Sequence, residues 1–113
     1  MSENAVVHRF GMVIRLIDES AEAYKALHAG PGVRDLLSEA NIQNFNIFLM
    51  RLSDGFLYEF GYYEYAGDDY SADMAILAAH PRHVEWLAQC DPMQLPLPGQ
   101  KGWTAMEQIY FNP

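Results

Sequence analysis

Residues 7–17 alternate between two kinds of side chain, and this alternation constrains the fold more than any other feature of the chain. One set of alternate positions holds Phe10, Met12, Ile14 and Leu16, and the other holds Arg9, Gly11, Val13 and Arg15. Because successive side chains of a strand point to opposite faces of its sheet, the segment predicts a β-strand with one apolar and one mixed face. A sheet built on this strand needs an apolar layer over its first face.

The following segments predict that layer and the remaining strands. A helix over residues 22–28, with Asp18 and Ser20 as candidate N-caps, is broken by Gly30-Pro31-Gly32, and a short second helix ends at Asn41, which suits a left-handed conformation. Strands over residues 44–49 and 56–65 are joined by the turn Ser53-Asp54-Gly55. Helices at Gly67-Asp68-Asp69 and at Pro81 then precede a Pro-rich loop, 91–101, and a last strand near 103–111. We expect one α+β domain over residues 1–113, with a ferredoxin-like βαββαβ order.

Helices on one face of the sheet leave the other face bare. A short chain with a bare sheet face either exposes a binding surface or dimerises through it. Arg9 and Arg15, set among apolar neighbours on that face, suit a partly polar cavity. We therefore expect a face-to-face homodimer, with a pocket between each sheet and its helices or inside the joint barrel.

Composition excludes several functions. The chain has 113 residues, of which 15 are Asp or Glu and 7 are scattered Lys or Arg, so nucleic acid is not an expected partner. No apolar run reaches the ~20 residues that span a bilayer, and residues 1–4 lack the features of a signal peptide, so we expect a cytoplasmic protein that does not bind membranes. A lone Cys90 excludes an internal disulfide and is expected to be a small buried hydrophobe.

Tyr24 and His28 are the candidate reaction centre. They stand four residues apart in the predicted helix, so a phenol and an imidazole leave adjacent turns in the same direction. An aromatic residue and a histidine at this spacing more often reflect ordinary packing. The choice between the two interpretations depends on the rest of the chain.

A series of motifs resembles one known family over nearly the whole chain. In order they are Tyr24-x-x-x-His28, Asn44-Phe45-x-Ile47-Phe48, Gly67-Asp68-Asp69-Tyr70-x-Ala72-Asp73-Met74, Glu85-Trp86, Asp91-Pro92 and Met106-Glu107-x-Ile109-Tyr110. Each fragment is weak alone, but their order and intervals resemble the L-rhamnose mutarotase family. The resemblance implies a dimeric α/β barrel of ferredoxin-like protomers.

The resemblance also implies a reaction, the interconversion of the α and β anomers of a free monosaccharide, usually a 6-deoxy-L-sugar such as L-rhamnose or L-fucose. A proton must reach the ring oxygen while another leaves the anomeric hydroxyl, and histidine exchanges protons at neutral pH. By position in the family motif, His28 would be the proton donor and Tyr24 would bind sugar hydroxyls. Trp86 would supply a flat face for the sugar. No metal or other cofactor is expected.

Three departures from the family pattern concern the pocket. Relatives often have Trp-Pro-Glu where this chain has Gly30-Pro31-Gly32-Val33. The second of two paired tryptophans is matched by Leu87, although an alignment with a one-residue gap sets Glu85 against the first. Phe45 matches a sugar-contacting tyrosine and lacks its hydroxyl. These changes leave L-fucose or another aldose as alternatives to L-rhamnose.

Other residues and functions stay as alternatives. His80 and His83 have the spacing of metal ligands, but no Cys or suitable carboxylate completes a site, so we expect solvent-exposed helix residues. Asp68 and Asp69 are interpreted as a helix N-cap and a first-turn charge. Small dimeric α/β barrels also include cofactor-free monooxygenases and non-catalytic ligand-binding domains, which fold alone does not separate.

Overall fold

The computed structural model describes residues 6–113. Residues 1–4, for which the sequence predicts no signal peptide, lie outside this part. In chain order the main elements are β1 (His8–Leu16), α1 (Ala21–Ala29), α2 (Arg34–Glu39), β2 (Ile42–Arg51), β3 (Leu57–Tyr65), α3 (Tyr70–Ala79), α4 (Pro81–Cys90), β4 (Gln94–Leu95) and β5 (Thr104–Met106). This order confirms the predicted α+β, ferredoxin-like class.

The strands form one antiparallel sheet in the order β2-β3-β1-β4. Both β4 and β5 pair with β1, β4 at Arg15 and Leu16 and β5 between Gly11 and Val13, so the two short strands share one edge. The loop predicted over 91–101 thus contains a short strand. On its other side, β1 pairs with the long hairpin strand β3.

The predicted two faces of β1 are confirmed. Ile14 and Leu16 are each 2% exposed, whereas their sequence neighbours Val13 and Arg15 are only half-buried. The helices cover the first face through two groups of buried residues. One group contains Val33, Leu36, Ala40, Ile42, Tyr65 and Leu77, the other contains Leu16, Ala21, Tyr24 and Cys90, and Trp86 packs against both.

A β-bulge in β2 sets which side chains face the helices. Ile42 pairs with Tyr65 and Ile47 pairs with Gly61, and the register shifts between Gln43 and Asn46. Five positions separate the two isoleucines, so a regular strand would place them on opposite faces. The extra residue restores both to the helix side, and Asn44 has the positive φ, 51°, that the irregularity requires.

The loop before α3 is fixed by polar contacts. The Tyr65 hydroxyl donates to Asp73 and accepts from the backbone N–H of Asp69, while Asn41 Nδ2 donates to Asp73 Oδ2 at 3.0 Å. Asp69, rather than Asp68, caps α3 by accepting from Ala72 N, and the acidic residue of the first turn is Asp73. Asn41 has the left-handed φ, 65°, expected at its position. The Asp-rich motif therefore joins β3 to α3.

Two local predictions are wrong. Asp18 does not cap α1, because residues Asp18–Ser20 form a 3-10 turn and Asp18 pairs with Arg51 instead; Ser20 occupies the N-cap position as predicted, but its side chain makes no capping hydrogen bond. The strand expected over 103–111 is limited to Thr104–Met106. Among the described residues, the segment after Met106 pairs with no strand, although it follows the edge of β1 towards His8.

The sheet face opposite the helices carries exposed apolar side chains. On β2, Phe48 and Met50 are 68% and 61% exposed. Two arginines on β1 cover part of this face, with Arg9 over the Phe111 ring and Arg15 over the Phe56 ring. The bare face expected from the sequence is therefore present in this chain.

Candidate active site

A cavity of about 680 Å³ lies between the sheet and the helices. The five residues singled out by sequence all line it, namely Tyr24, His28, Phe45, Trp86 and Leu87. Its other walls are mainly apolar and include Met12, Leu16, Leu37, Ile47 and Trp103. This volume is typical of small-molecule sites, and its few polar groups are therefore the ones that would orient a ligand.

His28 lies in the last turn of α1, where the backbone fixes its tautomer. Its Nδ1 is 2.8 Å from the carbonyl oxygen of Tyr24. A carbonyl oxygen only accepts, so Nδ1 carries the hydrogen of this bond. In the neutral imidazole, Nε2 is consequently the free acceptor, and in the imidazolium it is a proton donor. The geometry assigns proton exchange to Nε2.

Aromatic rings hold the imidazole on two sides. The Tyr24 ring centroid is 4.2 Å from that of His28, and the Trp86 ring meets His28 edge-on at 5.1 Å. Tyr24 is 6% exposed and belongs to the buried core, while His28 is half-buried. The predicted tyrosine and histidine are thus in contact, with the histidine nearer the solvent.

Arginine contacts close the end of α1 beside His28. Arg34 donates to the carbonyl oxygens of His28, at 2.8 Å, and of Gly30. These carbonyls lie at a helix C-terminus, where a cation is favourable. Arg82 of α4 joins Asp35 at 2.8 and 3.1 Å and also donates to the Gly32 carbonyl. The segment between α1 and α2 is therefore tied to the helix that carries Trp86.

The segment that departs from the family pattern forms one wall of the cavity. Pro31, Gly32 and Val33 all line it. Gly32 has a positive φ of 56°, and a Cβ at this position would lie 3.2 Å from the Trp86 ring. The glycine allows the chain to approach the indole, so this segment makes a close backbone contact with Trp86.

Sequence reasoning missed two polar residues of the cavity, Glu59 and Gln94. Glu59 is 1% exposed, and its Oε2 accepts from Gln94 Nε2 at 3.1 Å. The same Gln94 Nε2 donates to the Tyr24 hydroxyl at 2.9 Å. A signal for Glu59 existed, because it falls on the same alternate positions of β3 as Tyr63 and Tyr65. Gln94 lies in the Pro-rich segment, where no periodicity points to it.

Burial changes the acidity of these groups. It raises the pKa of the Glu59 carboxyl, against the opposing effect of hydrogen bonding from Tyr24 and Gln94. The pKa of Tyr24 is raised far above its ordinary value, first by burial and then by Glu59. Burial also raises the pKa of Cys90 to about 11. The phenol and the thiol therefore stay protonated at neutral pH, and Cys90 is buried as expected.

The other candidate residues have separate positions. His83 lines the cavity and is half-buried, so the expectation that it is solvent-exposed is wrong: α4 turns it towards the cavity, and burial lowers its pKa. His80 caps α4 by accepting from Arg82 N. Asp68 and Asp69 do not line the cavity. In residues 6–113, no cluster of three or more His, Cys, Asp or Glu has the arrangement of a metal site.

Phe45 and Leu87, the two positions that depart from the family pattern by one residue each, also form part of the cavity wall. Phe45 stacks on Tyr63 with centroids 5.3 Å apart, and Tyr63 in turn hydrogen-bonds the Tyr70 hydroxyl at 2.7 Å. Leu87, next to Trp86 on α4, is 38% exposed and also lines the cavity. The wall therefore has an aromatic ring without a hydroxyl and an aliphatic side chain.

In the described part of the chain, no helix has the length and apolar character needed to cross a membrane.

Similar solved structures share the fold at low sequence identity. An L-rhamnose mutarotase from Formosa agariphila has a TM-score of 0.65 at 17% identity, covering 94% of this chain and 99% of that one. Tetracenomycin F2 cyclase from Streptomyces glaucescens, a type-II polyketide cyclase, has a TM-score of 0.61 at 18% identity, with coverage of 94% and 99%. A Nitrosomonas europaea protein named as an antibiotic biosynthesis monooxygenase has a TM-score of 0.53 at 11% identity, covering 97% of each chain. At these identities the likeness shows the ferredoxin-like fold alone.

Comparison of the sequence with protein families is more specific than the likeness in fold. No curated protein matches the chain significantly. The L-rhamnose mutarotase family matches it over residues 9–111, which include every element from β1 to β5 except the first residue of β1. The chain therefore belongs to the L-rhamnose mutarotase family and is a carbohydrate isomerase of the aldose mutarotase type.

Proposed function

We propose that the cavity interconverts the α and β anomers of a free 6-deoxy-L-sugar, L-rhamnose or L-fucose, with His28 as the proton donor to the ring oxygen. The observation that carries the proposal is the hydrogen bond from His28 Nδ1 to the Tyr24 carbonyl. It leaves Nε2 to give and take the proton, as the reaction requires. Acid–base catalysis by a positioned group of this kind contributes about 10²–10⁴-fold.

The lining of the cavity supports a 6-deoxy sugar as the substrate. The Trp86 ring offers a flat surface for the C–H side of a pyranose. Apolar side chains such as Met12 and Ile47 suit the methyl group that distinguishes a 6-deoxy sugar. Tyr24 and Gln94 supply hydrogen-bonding groups for hydroxyls. In this proposal Phe45 and Leu87 complete the wall on the sugar's other side.

We also propose that the protein is a homodimer joined through the bare sheet face. Phe48 and Met50 are exposed side by side on β2, and Ile109 and Tyr110 beyond β5 are 87% and 78% exposed. Burial of such side chains against a second copy is favourable at about 25 cal/mol per Å². The cytoplasmic location stays a prediction from the sequence.

Saturation-transfer NMR between anomeric proton signals tests the proposal. The protein is added to L-rhamnose, L-fucose, L-arabinose and D-sugars, and exchange above the uncatalysed rate is measured for each. We expect catalysed exchange for at least one 6-deoxy-L-sugar. A ligand-binding domain would bind sugar without exchange, and a monooxygenase would consume oxygen with an aromatic substrate, so either result without exchange contradicts the proposal.

A further inference from the structure

Glu59 is an unusual residue for the lining of a largely apolar cavity. It is 1% exposed, and its Oε1 has no hydrogen-bond partner among the described residues. A buried carboxylate oxygen without a partner costs free energy. Ionisable groups placed at such a cost in a cavity are often functional. The mechanism described above gives Glu59 no role.

Ring opening needs a second proton-transfer group besides His28. While the acid protonates the ring oxygen, a base must take the proton of the anomeric hydroxyl. His28 Nε2 can serve only one of these atoms in each step. A second acceptor within the cavity, close to Tyr24 and His28, would take the other proton without solvent.

The Gln94 amide orients the Tyr24 hydroxyl beside Glu59. One amide hydrogen goes to the Tyr24 oxygen at 2.9 Å and the other to Glu59 Oε2 at 3.1 Å. Both donors of the amide are then used. The Tyr24 hydroxyl accepts from Gln94 and keeps its own hydrogen to donate. The neighbouring carboxylate is an acceptor for that hydrogen.

We propose that Glu59 is the base of the anomer exchange and receives the proton of the anomeric hydroxyl through the Tyr24 hydroxyl. This inference rests on the proposed function. As His28 Nε2 gives a proton to the ring oxygen, the bond from that oxygen to the anomeric carbon breaks and the aldehyde forms. The anomeric hydroxyl passes its proton to the Tyr24 oxygen, which gives its own hydrogen to Glu59. Closure on the other aldehyde face returns both protons, so no atom or electron is gained or lost.

The surroundings of Glu59 are compatible with this role. The titratable groups that face it are Tyr24 from α1 and Cys90 from α4, and burial keeps both protonated. Its cross-strand partners, Ile14 on β1 and Leu49 on β2, are apolar. Gln94 from β4 is neutral. Tyr24 never becomes a phenolate, because it gains one proton as it loses another.

Exchange of L-rhamnose and L-fucose by wild type and by Glu59→Gln, measured across roughly pH 5 to 8, tests the inference. Burial raises the pKa of Glu59, so wild-type exchange should fall on the acidic side as the base becomes protonated. We expect Glu59→Gln to lower the maximal rate at least about a hundredfold, with little change in KM, and to lose this acidic limb. Glu39→Gln, an exposed carboxylate on α2 that does not line the cavity, is the matched control and should behave as wild type.

A double-mutant cycle separates this relay from a structural role. Tyr24 and Glu59 belong to the same proton relay, so removing either one stops it. Tyr24→Phe should therefore resemble Glu59→Gln, and the double variant should be no slower than either. Glu59→Asp should keep an acidic limb with a displaced midpoint, which also decides the matter if Glu59→Gln does not fold. Wild-type rates in Glu59→Gln, a change in KM alone, additive effects, or an undisplaced limb in Glu59→Asp would overturn the inference. Absence of exchange in the wild type would overturn both the inference and the proposed function.

Discussion

His28 depends on its neighbours for both its tautomer and its position. The Tyr24 carbonyl holds Nδ1, the Tyr24 and Trp86 rings contact the imidazole, and Arg34 binds the His28 carbonyl. A histidine fixed in this way loses little freedom when a sugar binds, which favours catalysis. The spacing of Tyr24 and His28 in the sequence predicts their contact, while the tautomer follows only from the structure.

At the scale of single residues, the absence of a hydroxyl at Phe45 leads us to predict weak selectivity between sugar epimers. A wall without a hydroxyl leaves no buried polar group unpaired by the wrong epimer, so discrimination is weak. We expect selectivity for L-rhamnose over L-fucose below about a hundredfold, or ~2.7 kcal/mol. Phe45→Tyr should increase the preference for whichever sugar places a hydroxyl beside it.

Exchange rates for the two sugars, compared at equal enzyme concentration, provide the check. Phe56→Tyr adds the same hydroxyl outside the cavity and should leave the ratio unchanged. A wild-type preference for L-rhamnose well above a hundredfold would show that Phe45 and Leu87 do not relax specificity.

At the scale of elements, the residues that join strands to helices decide which side chains reach the cavity. The bulge in β2 returns Ile47 to the helix side, and the loop at Gly67 fixes the start of α3 against Tyr65. A Cβ at Gly67 would lie 2.7 Å from Asn41 Nδ2 and closer still to the Tyr65 hydroxyl. Since Tyr65 is 1% exposed and hydrogen-bonded, it has little room to move.

Gly67→Ala should therefore destabilise the fold by about 1–3 kcal/mol, the usual cost of overpacking. For a domain of this size the expected decrease in melting temperature is roughly 4–8 °C per kcal/mol. Gly102→Ala is the control, because a Cβ there meets no atom within 4 Å. Equal melting temperatures for the two variants would show that the contacts around Gly67 are not restrictive.

Sequence periodicity predicts the elements well and their irregularities poorly. The alternation of β1, the positive φ of Asn41 and the start of α4 at Pro81 all follow from local residue chemistry. The short β5 does not, since the apolar residues after Met106 resemble a strand locally and yet pair with no neighbour. Glu59 was missed because a charged residue in a strand is normally assigned to the solvent face, and its burial depends on Gln94, 35 residues away.

At the scale of the whole molecule, one sheet face differs from the acidic composition of the chain. The net charge is −8, yet the bare sheet face presents Phe48 and Met50 and the cations Arg9 and Arg15. Clustered exposed apolar side chains of this kind mark an interaction surface. In the proposed homodimer, a two-fold axis would pair this face with the same face of a second copy.

Phe48→Asp should convert the proposed homodimer to a monomer, because it would bury an unpaired carboxylate in the interface. Sedimentation velocity at micromolar concentration measures the change. Ile76→Asp is the control, since Ile76 is 71% exposed on α3, which lies on the helix side of the sheet. A wild-type protein that sediments as a monomer, or a Phe48→Asp variant that stays dimeric, would refute the assignment of this face.

The central claim is that His28 transfers the proton to the ring oxygen, and His28→Ala tests it most directly. Saturation-transfer NMR should show anomer exchange reduced by about 10²–10⁴-fold, with a melting temperature close to that of wild type because His28 is only half-buried. His8→Ala removes an exposed histidine at the start of β1 and should exchange as wild type. Wild-type exchange in His28→Ala would contradict the account, and loss of exchange together with a large loss of stability would assign His28 to packing instead.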